Sequence, residues 1–430
     1  MSERTPSCAT GATSTHPPKV RLGEVATYIN GYAFKPTDWS DVGKPIIRIQ
    51  DLTGNSYQMN RFLGSIPEKY DVVKGDVLIS WSASLGVYVW NREDALLNQH
   101  IFKVIFDEQN VDKRYFFHQV GSILKMAASE AHGCTMKHLT KPVFDALPFV
   151  LPPLVEQQQI ATRLDRICEI VEKRKAQLAQ LQQLVKSRFV EMFGDPVANE
   201  MRWPMVAMND VLESIGNGRS FVCESFPRIG ENPAILKLGA ATWGEYRPEE
   251  NKALKHGDSF FPDCEVKADD LLFTRKNTLE LVGKCAYVRA TPPKLMLPDL
   301  IFRLETNDQI DKVYLASLIN CDRFRGEVRK LASGSAGSMP NISKARLLAL
   351  RIILPPLALQ REFAAFVAKV DRLEAAVKKG LAAAERLYRQ QLQEVFDIAD
   401  NIADNIGDHR TRDHRTRDNM PQPQLLKEGL

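Results

Sequence analysis

Leu151-Pro152-Pro153-Leu154 and Leu354-Pro355-Pro356-Leu357 are one tetrapeptide written twice, 203 residues apart, and the flanks keep that offset without a gap. Upstream, Thr135-Met136-Lys137-His138-Leu139-Thr140-Lys141 lies over Ser338-Met339-Pro340-Asn341-Ile342-Ser343-Lys344. Downstream, Leu178, Leu184 and Phe193 fall on Leu381, Leu387 and Phe396. A single Leu-Pro-Pro-Leu reads only as a strand running into a proline-started helix. Repeated with matching flanks over about sixty residues, it marks an internal duplication.

The duplication sets the order domain, helix, domain, helix. It predicts a flexible arm over 1–19, a mixed domain over 20–150 and a helical spacer over 151–196. A second domain over 197–353, a second spacer over 354–396 and a disordered tail over 397–430 follow. Within the spacers the helices are expected over Glu156–Phe193 and Gln360–Phe396. The first carries Ile160, Leu164, Ile167, Val171, Leu178, Leu181, Val185 and Met192 at alternating spacings of four and three, broken at Arg174 and Arg188. That is a heptad seam. The second repeats it with Phe363, Val367, Val370, Val377, Leu381, Ala384, Tyr388 and Val395, broken at Glu374 and Gln391. Phe193-Gly194-Asp195-Pro196 supplies a stop, a glycine for the left-handed cap and a proline that cannot continue the helix. Two equal seams are expected to pack on each other, because a duplicated unit pairs through the same patch twice. If antiparallel, they would set the two domains at opposite ends of a rod.

The domains resemble each other with small gaps. Val20–Ile29 lies under Val206–Ile215, Ile47-Arg48-Ile49 under Leu236-Lys237-Leu238, Asp76–Ser80 under Asp270–Thr274, and Ile101-Phe102-Lys103 under Ile301-Phe302-Arg303. Short apolar runs between Gly, Asn and Pro turns predict an α+β domain with a curved, mostly antiparallel sheet. Between these anchors the copies diverge: Trp81-Ser82-Ala83-Ser84-Leu85 faces Arg275-Lys276-Asn277-Thr278-Leu279.

The 430 residues are 44% hydrophobic and 26% charged, with a net charge of +4 and seven scattered cysteines lacking any Cys-x-x-Cys. Such a set fits reduced thiols in a cytoplasmic chain better than a disulfide frame or zinc site. No apolar run reaches the 18 or more residues of a membrane helix, and the first residues lack the plan of a signal peptide. The tail repeats Asp-His-Arg-Thr-Arg from Asp408, and reads as a solvated charge run.

Motifs for catalysis are missing. The four Pro-Pro pairs follow His16, Leu151, Thr291 and Leu354, so none completes the Asp/Asn-Pro-Pro-Tyr/Phe of an amino-methyltransferase. Gly216-Asn217-Gly218 does not extend to a dinucleotide pattern, and no phosphate loop for ATP occurs. Pro262-Asp263-Cys264-Glu265-Val266-Lys267 holds its carboxylates two residues apart, which suits a surface turn and not a nuclease metal site. His100, His118, His132 and His138 lack the spacing of a triad.

Two domains on a shared scaffold, each followed by Leu-Pro-Pro-Leu and a long heptad helix, resemble the specificity subunit of type I restriction-modification enzymes. The most specific pieces are Leu151–Ile160 closing in Phe193-Gly194-Asp195-Pro196, the second Leu354–Gln360, and Ile29-Asn30-Gly31-Tyr32-Ala33-Phe34-Lys35. The resemblance implies an α+β chain of two target recognition domains, their helices packed as an antiparallel coiled coil with pseudo-twofold symmetry. It implies a non-catalytic subunit that binds double-stranded DNA at an asymmetric bipartite site, with the helices as spacer. Two methyltransferase subunits would dock on the helices and restriction translocase subunits on those; S-adenosylmethionine, ATP and magnesium belong to the partners only, and the chain holds no metal. A coiled-coil protein-interaction scaffold is the rival reading. Side chains able to meet bases or phosphates are Tyr32, Lys35, Arg48, Gln50, Trp81, Ser82, Lys137 and His138 in the first domain. In the second they are Arg219, Lys237, Thr242, Arg275, Lys276, Asn277, Asn341 and Lys344.

Overall fold

A computed structural model describes residues 17–54, 58–106, 110–130, 140–255, 260–334 and 339–396. Each domain is closed by a two-stranded ribbon joining its beginning to its end. Lys19–Arg21 pairs antiparallel with Pro148–Val150, and Met205–Ala207 pairs with Arg351–Ile353. Lys19 is therefore strand, and Pro18 accepts the amide of Leu151 at 2.9 Å, so the expected arm does not extend to residue 19. The rest of that arm, residues 1–16, and the tail over 397–430 lie outside the described residues.

Inside the first ribbon lies an antiparallel sheet of β1 (Thr27–Asn30), β2 (Val77–Ser80), β3 (Gly86–Val89) and β4 (Ile101–Ile105), in the order β1-β4-β2-β3. The second domain repeats it with β5 (Leu212–Asn217), β6 (Leu271–Thr274), β7 (Cys285–Tyr287) and β8 (Ile301–Thr306), in the order β5-β8-β6-β7. A single sheet per domain, as the sequence suggested, is not what forms. Each domain adds a second sheet, of four short strands in the first domain and three in the second, with one parallel pair: Ile46-Ile47 beside Leu96-Leu97, and Ala234-Ile235 beside Leu295-Met296. Alternation of apolar residues is the same for parallel and antiparallel neighbours in such short strands, so the direction is invisible in the chain. The alignment of Ile29 with Ile215 also slips by one. Asn30 stands opposite Phe102 and Asn217 opposite Phe302, because a bulge between Leu212 and Ser214 absorbs an extra residue.

The two long helices span Leu154–Phe193 and Leu357–Phe396, 40 residues each, about 60 Å at the α-helical rise. They begin earlier than Glu156 and Gln360. The carbonyl of Pro153 accepts the amides of Glu156 and Gln157 at 2.9 and 3.1 Å, and Pro356 those of Leu359 and Gln360 at 2.9 and 3.2 Å. Proline serves here because the first turn needs no N–H from it. Gln157, fully buried, accepts from the Asp112 amide at 2.9 Å and donates to the carbonyls of Pro152 and Asn110. Gln360 repeats this with Asp311, Pro355 and Gln309. Each glutamine thus ties the start of a long helix to the start of the domain's own helix, capped by Asp112 or Asp311.

Two compact units result, Met1–Lys173 with Gly380–Leu430, and Arg174–Lys379. Each holds one domain, the first half of the helix that follows it and the last half of the other helix. In the first unit the helix ending at Phe396 returns to the first domain, where its ring meets Tyr115 at 5.4 Å. In the second, Phe193 meets Tyr314 at 4.9 Å and Phe363 at 5.5 Å. End meets beginning, so the paired halves are antiparallel. Tyr115 and Tyr314 donate to Val150 and Ile353, anchoring the closing ribbons. The seam residues are all buried or half-buried, deepest at Leu164 and Phe363 and shallower at Leu178 and Leu381. At the seam breaks, Arg188 pairs with Glu362 at 3.1 Å and Glu374 with Lys378 at 3.5 Å. Gly194, at φ 74°, ends the first helix.

Candidate nucleic-acid interface

The same backbone device occurs at the end of β1 and of β5. Asn30 and Asn217 close the strands and are followed by Gly31 and Gly218, where a Cβ would lie 2.0 Å from the Asn98 carbonyl oxygen and 2.1 Å from that of Leu297. Only glycine lets the chain through. The next residue is then bridged on both sides: Tyr32 donates to Leu97 and accepts from Gln99, each at 2.8 Å, while Arg219 donates to Leu297 and accepts from Asp299, each at 3.1 Å. What projects from this fixed point differs. Tyr32 lies edge-on to Phe34 and Tyr70, and Arg219 spreads over Phe261 at 4.4 Å.

Beside it runs the loop after β2 or β6. Trp81 stacks on Phe102 at 5.7 Å and donates its indole N–H to Asn30 at 3.3 Å. In the equivalent place Arg275 lies over Phe302 at 4.9 Å, its Nε donating to Asn341 at 3.1 Å. A lysine attends each phenylalanine: Lys141 at 5.9 Å from the Phe102 ring centre and Lys344 at 5.8 Å from that of Phe302. Both lysines are otherwise engaged, Lys141 with Asp145 at 2.6 Å and Lys344 with the Ile215 carbonyl at 2.5 Å. Behind the second loop, buried Arg325 donates to the carbonyls of Gly283 and Val282; desolvation pushes its guanidinium down to about 10.

Arg275 and Lys344 thus share the Phe302 ring, and Asn341, Lys276, Asn277 and Thr242 adjoin Arg275. Lys276 and Asn341 form a bridge, and Asn277 donates to Thr242 at 3.2 Å. Thr242 and Asn277 are buried, as is Ser82 in the first domain. These three shape the loops and offer a duplex no surface, a correction to their choice as contacts. Lys237 stands apart, beside Glu250 at 3.6 Å, and Arg219 is not joined to the cluster. In the first domain Lys35 is exposed and Gln50 half-buried on the short helix Ile49–Leu52. Arg48 lies over Trp39, an exposed ring that sequence reasoning passed over. Lys137 and His138 lie outside the described residues. Lys141 was missed although the 203-residue offset already aligned it with Lys344.

The histidines lack the spacing of a triad, yet the fold gives one of them two partners. His118, 4% exposed, bonds through Nε2 to Asp165 at 2.8 Å and through Nδ1 to the Tyr388 hydroxyl at 2.9 Å. Three distant segments supply this trio, so no spacing could reveal it. Since a carboxylate only accepts, Nε2 carries the proton and Nδ1 accepts from Tyr388. With His118 buried and its two partners half-buried, the trio is a lock between elements.

Among the described residues no group of three or more His, Cys, Asp and Glu side chains is placed to hold a metal ion. The Glu265 carboxylate of the nuclease-like turn accepts the Lys294 amide. What the two loop systems present is planar rings and forked donors on a repeated frame.

A family model for the type I restriction modification DNA specificity domain matches residues 18–183 and 201–384. The EcoBI type I restriction enzyme specificity subunit of Escherichia coli is 34% identical over 171 residues, 39% of this chain and 36% of that protein. The EcoEI specificity subunit of Escherichia coli is 29% identical over 216 residues, 49% of this chain and again 36% of the relative. The matched stretch is therefore little more than a third of those two relatives' length. The MjaVIII specificity subunit of Methanocaldococcus jannaschii matches at 22% identity over 82% of this chain and 86% of its own. The solved S subunit of a type I restriction-modification system from M. genitalium shares the fold, with a TM-score of 0.54 over 90% of this chain and 98% of that one at 13% identity.

Proposed function

Because the chain belongs to the type I restriction modification DNA specificity family, we propose that it is the non-catalytic, sequence-reading subunit of such an enzyme, working in the cytoplasm. Each domain reads one half of an asymmetric bipartite site in double-stranded DNA, and the long helices set the interval between the halves. Two methyltransferase subunits dock on the helical region and restriction translocase subunits on those. Adenine-N6 methylation or cleavage, with S-adenosylmethionine, ATP and magnesium, belongs to these partners.

One observation carries the reading: Asn-Gly, the stacked-upon phenylalanine and its lysine recur in both domains, while Tyr32 against Arg219 and Trp81 against Arg275 change on that frame. Constant scaffold with changed projecting groups is what two different base sequences require, since phosphate contacts position a protein and base contacts specify. Among the described residues no helix is long and apolar enough to cross a membrane. Mapping adenine methylation in a host that carries the chain with its methyltransferase subunits should yield one split motif, absent without the chain. Methylation unaltered by removing the chain would leave the protein-scaffold reading in its place.

A further inference from the structure

We infer that Arg275 is a specificity-determining residue that reads a guanine in the half-site of the second domain, an inference resting on the DNA-reading function above. Arginine's five donors are divided by the structure. Nε is occupied by Asn341 at 3.1 Å, and the guanidinium plane is laid over Phe302 at 4.9 Å. The two terminal nitrogens make no hydrogen bond or ion pair among the described residues, and the side chain is half-exposed.

A fork held by its root, with both tines unoccupied, matches the paired O6 and N7 acceptors of guanine in the major groove. Pre-fixing the plane removes rotamer freedom that binding would otherwise have to freeze. The other cation on the Phe302 ring differs: Lys344 is spent on the Ile215 carbonyl. The first domain provides an internal contrast. At the equivalent point Trp81 stacks on Phe102 and its one donor is directed to Asn30. An indole cannot supply a two-pronged donor, so the first domain has no bidentate guanine contact to offer from this position.

The test is selection from a pool of random duplexes by the full chain assembled with its methyltransferase subunits. The wild type should enrich a split motif with guanine at a position in one half. Arg275→Gln should lower the preference for guanine there by about ten- to a hundredfold, the discrimination a bidentate pair commands, and shift it toward adenine. The remaining positions should hold. Arg275→Lys keeps the length and charge over Phe302 but loses the fork, and should also relax that one position; it decides the matter if Arg275→Gln loses its fold. An unchanged motif would overturn the inference, as would uniform weakening on all sequences, the mark of a phosphate contact. A wild-type complex with no sequence preference is a different failure, that of the DNA-reading function itself.

Discussion

His118 shows how one residue can differentiate two copies of a duplicated frame. Its counterparts in the second unit are Ser317, with Ala368 and Val185 in the places of Asp165 and Tyr388, so only the first unit carries a titratable lock. Burial holds the imidazole below its ordinary value, outweighing Asp165 and Asp112, which pull upward; Arg114 adds to the lowering. The depressed value means that the unfolded chain binds the proton first. The contribution of His118 is therefore complete above about pH 6.5, its unfolded value, and is lost as pH falls through the folded one. Amide exchange along Lys113–Glu130 should quicken between pH 7.5 and 5.5, after correction for intrinsic rates, and the acceleration should shrink in His118→Gln. Equal acceleration in both proteins would exclude the lock. Nothing in the chain foretold it, because tertiary convergence of segments as far apart as 118 and 388 leaves no local pattern. Arg275 is legible in the sequence as a candidate contact, but its bond to Asn341 and the occupied state of Lys344 come only with the fold.

Within the long helices, burial grades the seam. Leu164 is fully buried and Leu178 only half, although both hold equivalent heptad places. Truncation costs the transfer of the lost atoms plus any cavity left behind, so Leu164→Ala should destabilise the first unit by about 2–5 kcal/mol, and Leu178→Ala the second unit by clearly less. Urea titration of both variants checks the ordering, and equal costs would show the seam to be uniformly sealed. The seam itself was legible because two copies report the same 203-residue offset and the period of a heptad needs no tertiary knowledge. The helices start two and three residues before Glu156 and Gln360, because the carbonyls of Pro153 and Pro356 already accept the first amides, a detail that a proline-started helix leaves open in the sequence. The tie made by Gln157 and Gln360 is not legible in the sequence, although both stand in the repeated segment. A glutamine in a polar run reads as solvated, and only burial shows that every donor and acceptor of its amide is used.

At the scale of the whole molecule, the closing ribbons make each domain an exchangeable insert. Replacing residues 20–150 with another recognition domain of the family, while keeping an aromatic at position 115 to receive Phe396, should change one half of the methylated motif and leave the other intact. Methylation mapping reads the result, and altered bases in both halves would refute modular reading. The same junction of Tyr115 with Phe396 has a bearing on biosynthesis. The second unit, Arg174–Lys379, is made from one continuous stretch, whereas the first needs the closing half-helix from Gly380 onward. On the ribosome the amino-terminal domain emerges first, with its socket for Phe396 still empty. It is consequently finished only after the whole of the second unit has been translated, so a nascent chain that stalls short of Gly380 leaves the older domain, and not the younger, incomplete.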